Sequence, residues 1–257
     1  MIAMGCDVGT SAVKVAIMED GTIVTHAITP TEGRITQATE KCVNKVLSNV
    51  RLSLNDIKYC AGTGWGVRYL SFPHTEESSM RCLARGCCWA VPGARTVLDL
   101  GGLSSTAISI DEKGNTLEYR TNDKCASGTG RFLEIAAEAL EVKTEDMGAL
   151  ALSAKEKVDI TNQCAVFMES ELVAHVNEGR EVPDIAAGIA YSIGLGLSTL
   201  ANRLGVRKEC VMTGGVAKNK AVVRALEESL GVETKGTEVD PQIIAAIGAA
   251  LCAQEER

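Results

Sequence analysis

Short alternating runs of apolar and polar residues occur at two places in the chain, and each run predicts three β-strands joined by tight turns. The first run covers residues 2–29, where Asp20-Gly21 marks a hairpin turn. The second run covers residues 96–120. In both runs an acidic residue stands beside the first glycine turn. The pattern therefore predicts an internal repeat of architecture rather than of short sequence.

Apolar residues three to four positions apart predict helices through most of the remaining chain. The predicted helices cover residues 35–50, 76–90, 129–141, 144–153, 164–178, 183–204, a stretch ending at 230, and 241–254. Two further short strands are predicted at 57–63 and 211–213. Helices on both faces of such sheets give an α/β fold of two lobes with a cleft between them. We expect residues 1–95 plus 240–257 to form lobe I and residues 96–239 to form lobe II.

Composition narrows the function classes. The net charge of −7 is spread along the chain without a basic run, which argues against a nucleic-acid partner. No apolar run reaches the ~18 residues of a membrane span, and no signal peptide is evident. We therefore expect a cytoplasmic protein without a membrane partner. The ten cysteines do not follow the regular spacing of a small disulfide-bonded domain.

The turn between the first two predicted strands has the composition of a phosphate-binding loop. Gly9, Thr10 and Ser11 offer backbone N–H groups and small side chains to an anion. Asp7, at the end of the strand, can hold a hydrated Mg²⁺ ion. Lys14 either touches a phosphate or is a solvated lysine at a strand end. Taken alone, the turn is equally an ordinary tight hairpin with a capping aspartate.

Two further glycine turns extend this pattern. Asp99, Gly101 and Gly102 repeat the acidic residue and glycine turn in the second lobe, so two facing loops would hold the β- and γ-phosphates. A strand–Gly-Gly–helix turn near residue 214 suits close contact with an adenosine. Its candidate binding residues are Gly214, Gly215, Val216 and Asn219. Three such turns in this order predict nucleotide binding more strongly than any one of them.

Two cysteines, Cys125 and Cys164, each stand just before a strongly helical stretch. Iron–sulfur clusters normally take four protein ligands. Two thiolates are half of that number, so two copies of this chain, or this chain and a similar one, could supply a complete set. Two buried structural cysteines are the alternative at this point.

Three segments give the chain a specific family resemblance. Residues 122–134, 164–171 and 213–219 resemble the activator ATPases of 2-hydroxyacyl-CoA dehydratases and the ATPase subunits of benzoyl-CoA reductase. These belong to the superfamily of acetate kinase, sugar kinases, Hsp70 and actin. The resemblance extends over nearly the whole chain. It implies a two-lobed, actin-like and Hsp70-like (RNase H-like) ATPase fold with a nucleotide in the interlobe cleft.

The resemblance also implies a cofactor set. Cys125 and Cys164 of each of two subunits, identical or homologous, would hold one [4Fe–4S] cluster at a twofold interface, with Gly128 beside it. ATP or ADP would bind with Mg²⁺, and Asp7 and Asp99 would be the catalytic carboxylates. Ferredoxin or flavodoxin would donate electrons. The subunits of a CoA-thioester reductase or dehydratase would receive them at low potential.

One departure from the family pattern bears on catalysis. The activators usually carry Gln and Asp directly after the second glycine pair, where this chain has Leu103 and Ser104. A glutamine there would orient the attacking water or sense the γ-phosphate, and leucine can do neither. This favours a divergent partner subunit that binds nucleotide, shares the cluster and hydrolyses ATP slowly. A nucleotide-sensing scaffold and a small-molecule kinase of the same superfamily are two further interpretations.

Overall fold

The computed structural model describes residues 1–122, 129–160 and 165–255, with the side chains of 165 and 166 excepted. The chain divides into two compact units. Unit 1 comprises Met1–Val97, Ile108–Glu118 and Thr237–Arg257, and unit 2 comprises Leu98–Ala107 and Tyr119–Gly236. Unit 1 is thus assembled from three separate stretches of sequence.

Two five-stranded sheets have the same strand order. The first sheet is ordered β3-β2-β1-β4-β5 and the second β8-β7-β6-β9-β10. In the first sheet, β1 pairs antiparallel with β2 and parallel with β4. The strands of the first sheet are β1 (Ile2–Val8), β2 (Ala12–Glu19), β3 (Thr22–Pro30), β4 (Tyr59–Thr63) and β5 (Thr75–Glu76). Those of the second are β6 (Thr96–Leu100), β7 (Ser105–Ile110), β8 (Thr116–Asn122), β9 (Cys210–Thr213) and β10 (Thr234–Lys235).

The helices follow the predicted order. They are α1 (Ile35–Asn49), α2 (Ser79–Ala90), α3 (Gly130–Ala139), α4 (Met147–Leu152), α5 (Ala165–Asn177), α6 (Val182–Leu204), α7 (Lys220–Leu230) and α8 (Ile244–Glu255). Helix α2 begins three residues later than predicted, because the Ser78 hydroxyl accepts the Arg81 N–H and caps the helix there. The last predicted helix opens as a 3₁₀ turn, Pro241–Ile243, before α8 begins.

In unit 1 the C-terminal helix α8 is buried between α2 and the strands β1, β2 and β4. The helices α2 and α8 approach so closely that a Cβ atom at Gly248 would lie 1.7 Å from the Cys82 carbonyl oxygen. Alanine is abundant in α8, and small residues permit this spacing. A glycine at residue 248 is therefore required by the packing.

In unit 2 the 23-residue helix α6 packs against α4 and α7. Within the described part of the chain it is the one helix long and apolar enough to cross a membrane. However, 67% of its most apolar window is buried inside the protein. Its apolar residues contribute to the core of unit 2, which includes Ile185, Ile189 and Ile193.

Candidate functional site

The turn between β1 and β2 is closed by its own backbone and anchored from one side. The Gly9 N–H donates to the Ala12 carbonyl at 3.1 Å and so closes the turn. This N–H is one of the three that were predicted to bind a phosphate. Thr31 donates its hydroxyl to the Thr10 carbonyl at 2.5 Å and its N–H to the Ser11 carbonyl at 3.0 Å. In a planar trans peptide the next N–H points opposite to the carbonyl. The N–H groups of Ser11 and Ala12 therefore point away from Thr31.

The carboxylate of Asp7 lies beside this turn in an ion pair. Lys14 Nζ donates to Asp7 Oδ2 at 2.8 Å, and both side chains are only 14% exposed. The two residues are direct neighbours across β1 and β2, so the sheet register brings them together. Lys14 is thus paired with a carboxylate and is not a solvated lysine, and its contact with a phosphate stays a prediction.

A glycine after β4 completes the first turn region. Gly64 has a φ of +89°, and a Cβ atom there would lie 2.7 Å from both Asp7 Oδ1 and the Val8 carbonyl oxygen. The Gly66 N–H donates to the same Val8 carbonyl at 2.8 Å. Only glycine combines this backbone conformation with such a close approach. The loop after β4 is therefore fixed to the end of β1.

The turn in unit 2 repeats this geometry. The Gly101 N–H donates to the Ser104 carbonyl at 2.8 Å, as Gly9 does in unit 1. The anchor is the start of α3, where the N–H groups of Gly130 and Arg131 donate to the carbonyls of Gly101 and Gly102 at 2.9 and 2.8 Å. The N–H groups that follow these two carbonyls belong to Gly102 and Leu103. By the same peptide geometry, they point away from α3.

The glycine after β9 corresponds to Gly64. Gly214 has a φ of +86°, and a Cβ atom there would lie 2.3 Å from the Leu100 carbonyl oxygen. Beside it, the buried Thr213 hydroxyl donates to Asp99 Oδ1 at 2.8 Å. Thr213, Thr31 and Gly64 were not among the site residues predicted from the sequence. A Thr-Gly pair at the end of both parallel strands, β4 and β9, was the available signal.

Asn219 and Val216 have defined places in the third glycine turn. Gly215–Lys218 is a 3₁₀ turn, and Val216 is buried in the core of unit 2. The Asn219 side chain accepts the N–H groups of Ala221 and Val222 at 3.1 and 3.2 Å and so caps α7. Contact of these residues with an adenosine stays a prediction.

The predicted cluster ligands Cys125 and Cys164, and the neighbouring Gly128, lie outside the described residues. Eight other cysteines are described as free thiols, six of them buried. Burial raises the pKa of Cys42, and it raises the pKa of Cys210 to about 12. Over residues 1–122, 129–160 and 165–255, no three His, Cys, Asp or Glu side chains form a group that could hold a metal ion.

Two sheets of identical strand order, each with an Asp-X-Gly turn after its first strand, have the architecture of the actin-like ATPase fold. A glucokinase of the ROK family from Streptomyces griseus, solved with glucose and AMPPNP, shares the fold at a TM-score of 0.62 and 15% identity, over 99% of this chain and 100% of that one. The fold class predicted from the sequence is confirmed. The family model of the BadF/BadG/BcrA/BcrD ATPases matches residues 4–253, and the chain belongs to this family.

Individual relatives match over nearly their whole length. The chain is 36% identical to the 2-hydroxyisocaproyl-CoA dehydratase activator of Clostridioides difficile, over 100% of this chain and 96% of the relative. It is 38% identical to the (R)-2-hydroxyglutaryl-CoA dehydratase activating ATPase of Acidaminococcus fermentans, over 98% and 97%. A benzoyl-CoA reductase subunit of Thauera aromatica is 33% identical, over 97% and 92%. The solved C. difficile activator with bound ADPNP superimposes at a TM-score of 0.94 with 36% identity, over 100% of this chain and 95% of that one.

Proposed function

We propose that this chain is an ATP-dependent electron activator, one of two subunits that share a [4Fe–4S] cluster and deliver low-potential electrons. The acceptor is a 2-hydroxyacyl-CoA dehydratase or a reductase of the benzoyl-CoA type. The observation that carries the proposal is the family match over residues 4–253, a range that includes both cysteine motifs. The relatives are named as dehydratase activators and as part of a reductase.

The turn geometry supports nucleotide binding through the backbone. In each unit, two adjacent N–H groups point away from the group that anchors the turn, which is the arrangement an anion needs. Asp7 and Asp99 are the carboxylates nearest these turns in sequence, and through water they would hold the Mg²⁺ that accompanies ATP. The small residues Gly9, Thr10 and Gly102 would let phosphates approach the backbone closely.

The donor set of the chain suits the proposed cluster. Raised pKa values keep Cys42 and Cys210 as neutral thiols, whereas cluster ligation requires thiolates. Cys125 and Cys164 precede α3 and α5, whose N-terminal dipoles would stabilise negative charge there. Four thiolates from two chains would hold the cluster, which when bound accepts and passes on one electron at a time.

A hydrogen-bonded connection joins the phosphate turn to α3, the helix that follows the Cys125 motif. The carbonyls of Gly101 and Gly102 accept the first N–H groups of α3, those of Gly130 and Arg131. A change at this turn when ATP becomes ADP and phosphate would therefore reach the start of that helix through these two hydrogen bonds. In the proposed function, these bonds would couple ATP hydrolysis to the segment that carries the proposed cluster ligand Cys125.

Leu103 favours a second candidate function, a subunit that binds nucleotide but hydrolyses it slowly. Leu103 is 39% exposed, and its side chain carries no polar group. Its backbone N–H points away from α3. Phosphate binding by the backbone is therefore kept, and side-chain positioning of water is lost. Leu103→Gln combined with Ser104→Asp should raise ATP turnover at unchanged nucleotide affinity. Rapid turnover by the unaltered chain alone would contradict this candidate.

The main proposal is tested by anaerobic purification. We expect brown protein with about four irons per two chains, and ATP-dependent electron transfer from reduced ferredoxin or flavodoxin to the acceptor component. Cys125→Ser and Cys164→Ser should abolish the iron and keep ATP binding, while the matched control Cys88→Ser keeps both. Iron-free, colourless wild-type protein would refute the proposal. The proposal includes a cytoplasmic location and an identical or homologous second subunit.

A further inference from the structure

An exposed group of aromatic and cationic side chains follows β4 in unit 1. The Trp65 side chain is 66% exposed. The Arg68 guanidinium lies over its ring at 5.3 Å from the centroid, and over the Tyr69 ring at 5.2 Å. We call Trp65, Arg68, Tyr69 and the nearby Arg34 the cation–aromatic patch. Arg34 and Tyr69 line one cavity of about 360 Å³ with the first residues of α1.

The two arginines of the patch carry charge that the described residues do not neutralise. Among the ion pairs of residues 1–122, 129–160 and 165–255, neither Arg34 nor Arg68 takes part. By contrast, Arg81 and Arg85 of α2 both pair with Glu255. In a chain of net charge −7 the patch is thus a local site of positive charge.

The patch is held in a fixed position by the loop that carries it. Gly64, with φ of +89°, packs against Asp7 and Val8, and the Gly66 N–H bonds the Val8 carbonyl. The Arg68 guanidinium is further restrained by its contacts with the rings of Trp65 and Tyr69. Trp, Tyr and Arg are the residue types that dominate binding energy at protein interfaces, above all when they are pre-positioned. The loop therefore presents these side chains from a backbone that is anchored to β1.

We propose that the cation–aromatic patch docks an acidic surface of the protein that accepts electrons from this chain, an inference that rests on the proposed function. Charge complementarity selects an acidic partner, because two guanidinium groups outside the ion pairs of the described residues flank the exposed rings. The planar Arg68 fork suits a carboxylate. Gly66, which lies between Trp65 and Arg68 in the chain, is hydrogen-bonded to Val8 at the end of β1, the strand that also carries Asp7.

The experiment uses the complete subunit pair and the acceptor component whose ATP-dependent reduction it supports. Arg68→Glu should raise the acceptor concentration at half-maximal rate at least tenfold, with maximal rate, iron content and basal ATP turnover unchanged. Trp65→Ala should act in the same direction, and Trp65→Phe should recover part of the loss. Lys41→Glu, the same change of charge at an exposed position on α1, is the matched control and should have no effect.

A direct binding measurement accompanies the kinetics. Trp89→Phe leaves Trp65 as the single tryptophan, and acceptor binding should shift its emission to the blue and protect it from acrylamide. Unchanged half-saturation in both Arg68→Glu and Trp65→Ala would overturn the inference. It would also be overturned if Trp65 were shielded by self-association in sedimentation experiments, which would assign the patch to a second copy. A wild-type pair that reduces no acceptor would instead refute the proposed function.

Discussion

Replacement of Gly214 by alanine tests whether the glycine turn of unit 2 must be built as described. Gly214 has φ of +86° and ψ of 174°, a backbone conformation essentially restricted to glycine. A Cβ atom there would lie 2.3 Å from the oxygen and 2.7 Å from the carbon of the Leu100 carbonyl. Both are main-chain atoms of a buried strand, so a side-chain rotation cannot relieve the overlap.

The expected loss follows from two separate contributions. A non-glycine residue in a left-handed or extended positive-φ conformation costs about 1–3 kcal/mol. Steric overlap in a packed region adds about 1–3 kcal/mol. Gly205 separates the two contributions, because it has φ of +84° and no atom lies within 4 Å of the position that a Cβ atom would take. Gly205→Ala should therefore carry only the first cost.

Thermal unfolding and nucleotide titration of both variants provide the assay. At about 2–4 °C per kcal/mol for a chain of this size, Gly214→Ala should unfold ~2–12 °C below Gly205→Ala. Displacement of Leu100 also moves Asp99 and Gly101, so Gly214→Ala should bind ATP roughly tenfold more weakly, a loss of ~1.4 kcal/mol. Gly205→Ala should bind as the wild type does. Equal melting temperatures and equal affinities in the two variants would refute the reasoning.

Three further predictions concern single side chains. Lys14→Met should destabilise the protein by about 1.5–3 kcal/mol, because the nearly buried Asp7 carboxylate loses a charged donor. A double-mutant cycle with Asp7→Asn, measured by urea unfolding, should give a coupling free energy of similar size. Additive losses of stability in the two single variants would contradict the ion pair. Asn219→Ala should cost about 1 kcal/mol through loss of the α7 cap, which thermal unfolding would detect, whereas Asn219→Asp should retain most of the stability. Burial raises the pKa of Cys210 to about 12. The stability contributed by this thiol is therefore complete below the unfolded thiol pKa of about 8.5, and it is lost as pH rises toward 12. Cys210→Ala should reduce the alkaline slope of the unfolding free energy by up to ~1.4 kcal/mol per pH unit, and identical slopes in variant and wild type would contradict this prediction.

The sequence carried most of the local structure, because strands and helices left strong periodic patterns. Strands β6 (Thr96–Leu100) and β7 (Ser105–Ile110) lie within the run of residues 96–120 that was predicted to hold three strands. The strands β5 and β10 were missed, since each is only two residues long and exists through its pairing with a distant strand. Two residues are too few to show a periodic pattern.

The candidate site was predictable in composition but less so in detail. Asp7, Gly9, Asp99 and Gly101 could be proposed from the sequence because a predicted strand ending in an aspartate and a glycine turn occurs in both halves of the chain, and such turns suit phosphate and Mg²⁺. The direction of each N–H group was not predictable, because it depends on tertiary anchors. Thr31 lies 21 residues from the carbonyl that it fixes, and no local pattern connects a threonine to a turn at such a distance.

The placement of α8 has a consequence for the order in which the chain can fold. Unit 1 takes its first strands from residues 1–97 and its central buried helix from the stretch after 237. During synthesis those strands leave the ribosome well before α8 exists, whereas unit 2 is complete by residue 236. Unit 2 can therefore reach its native packing first. The face of β1, β2 and β4 that α8 covers stays exposed meanwhile, and exposed apolar surface of this kind is prone to aggregation.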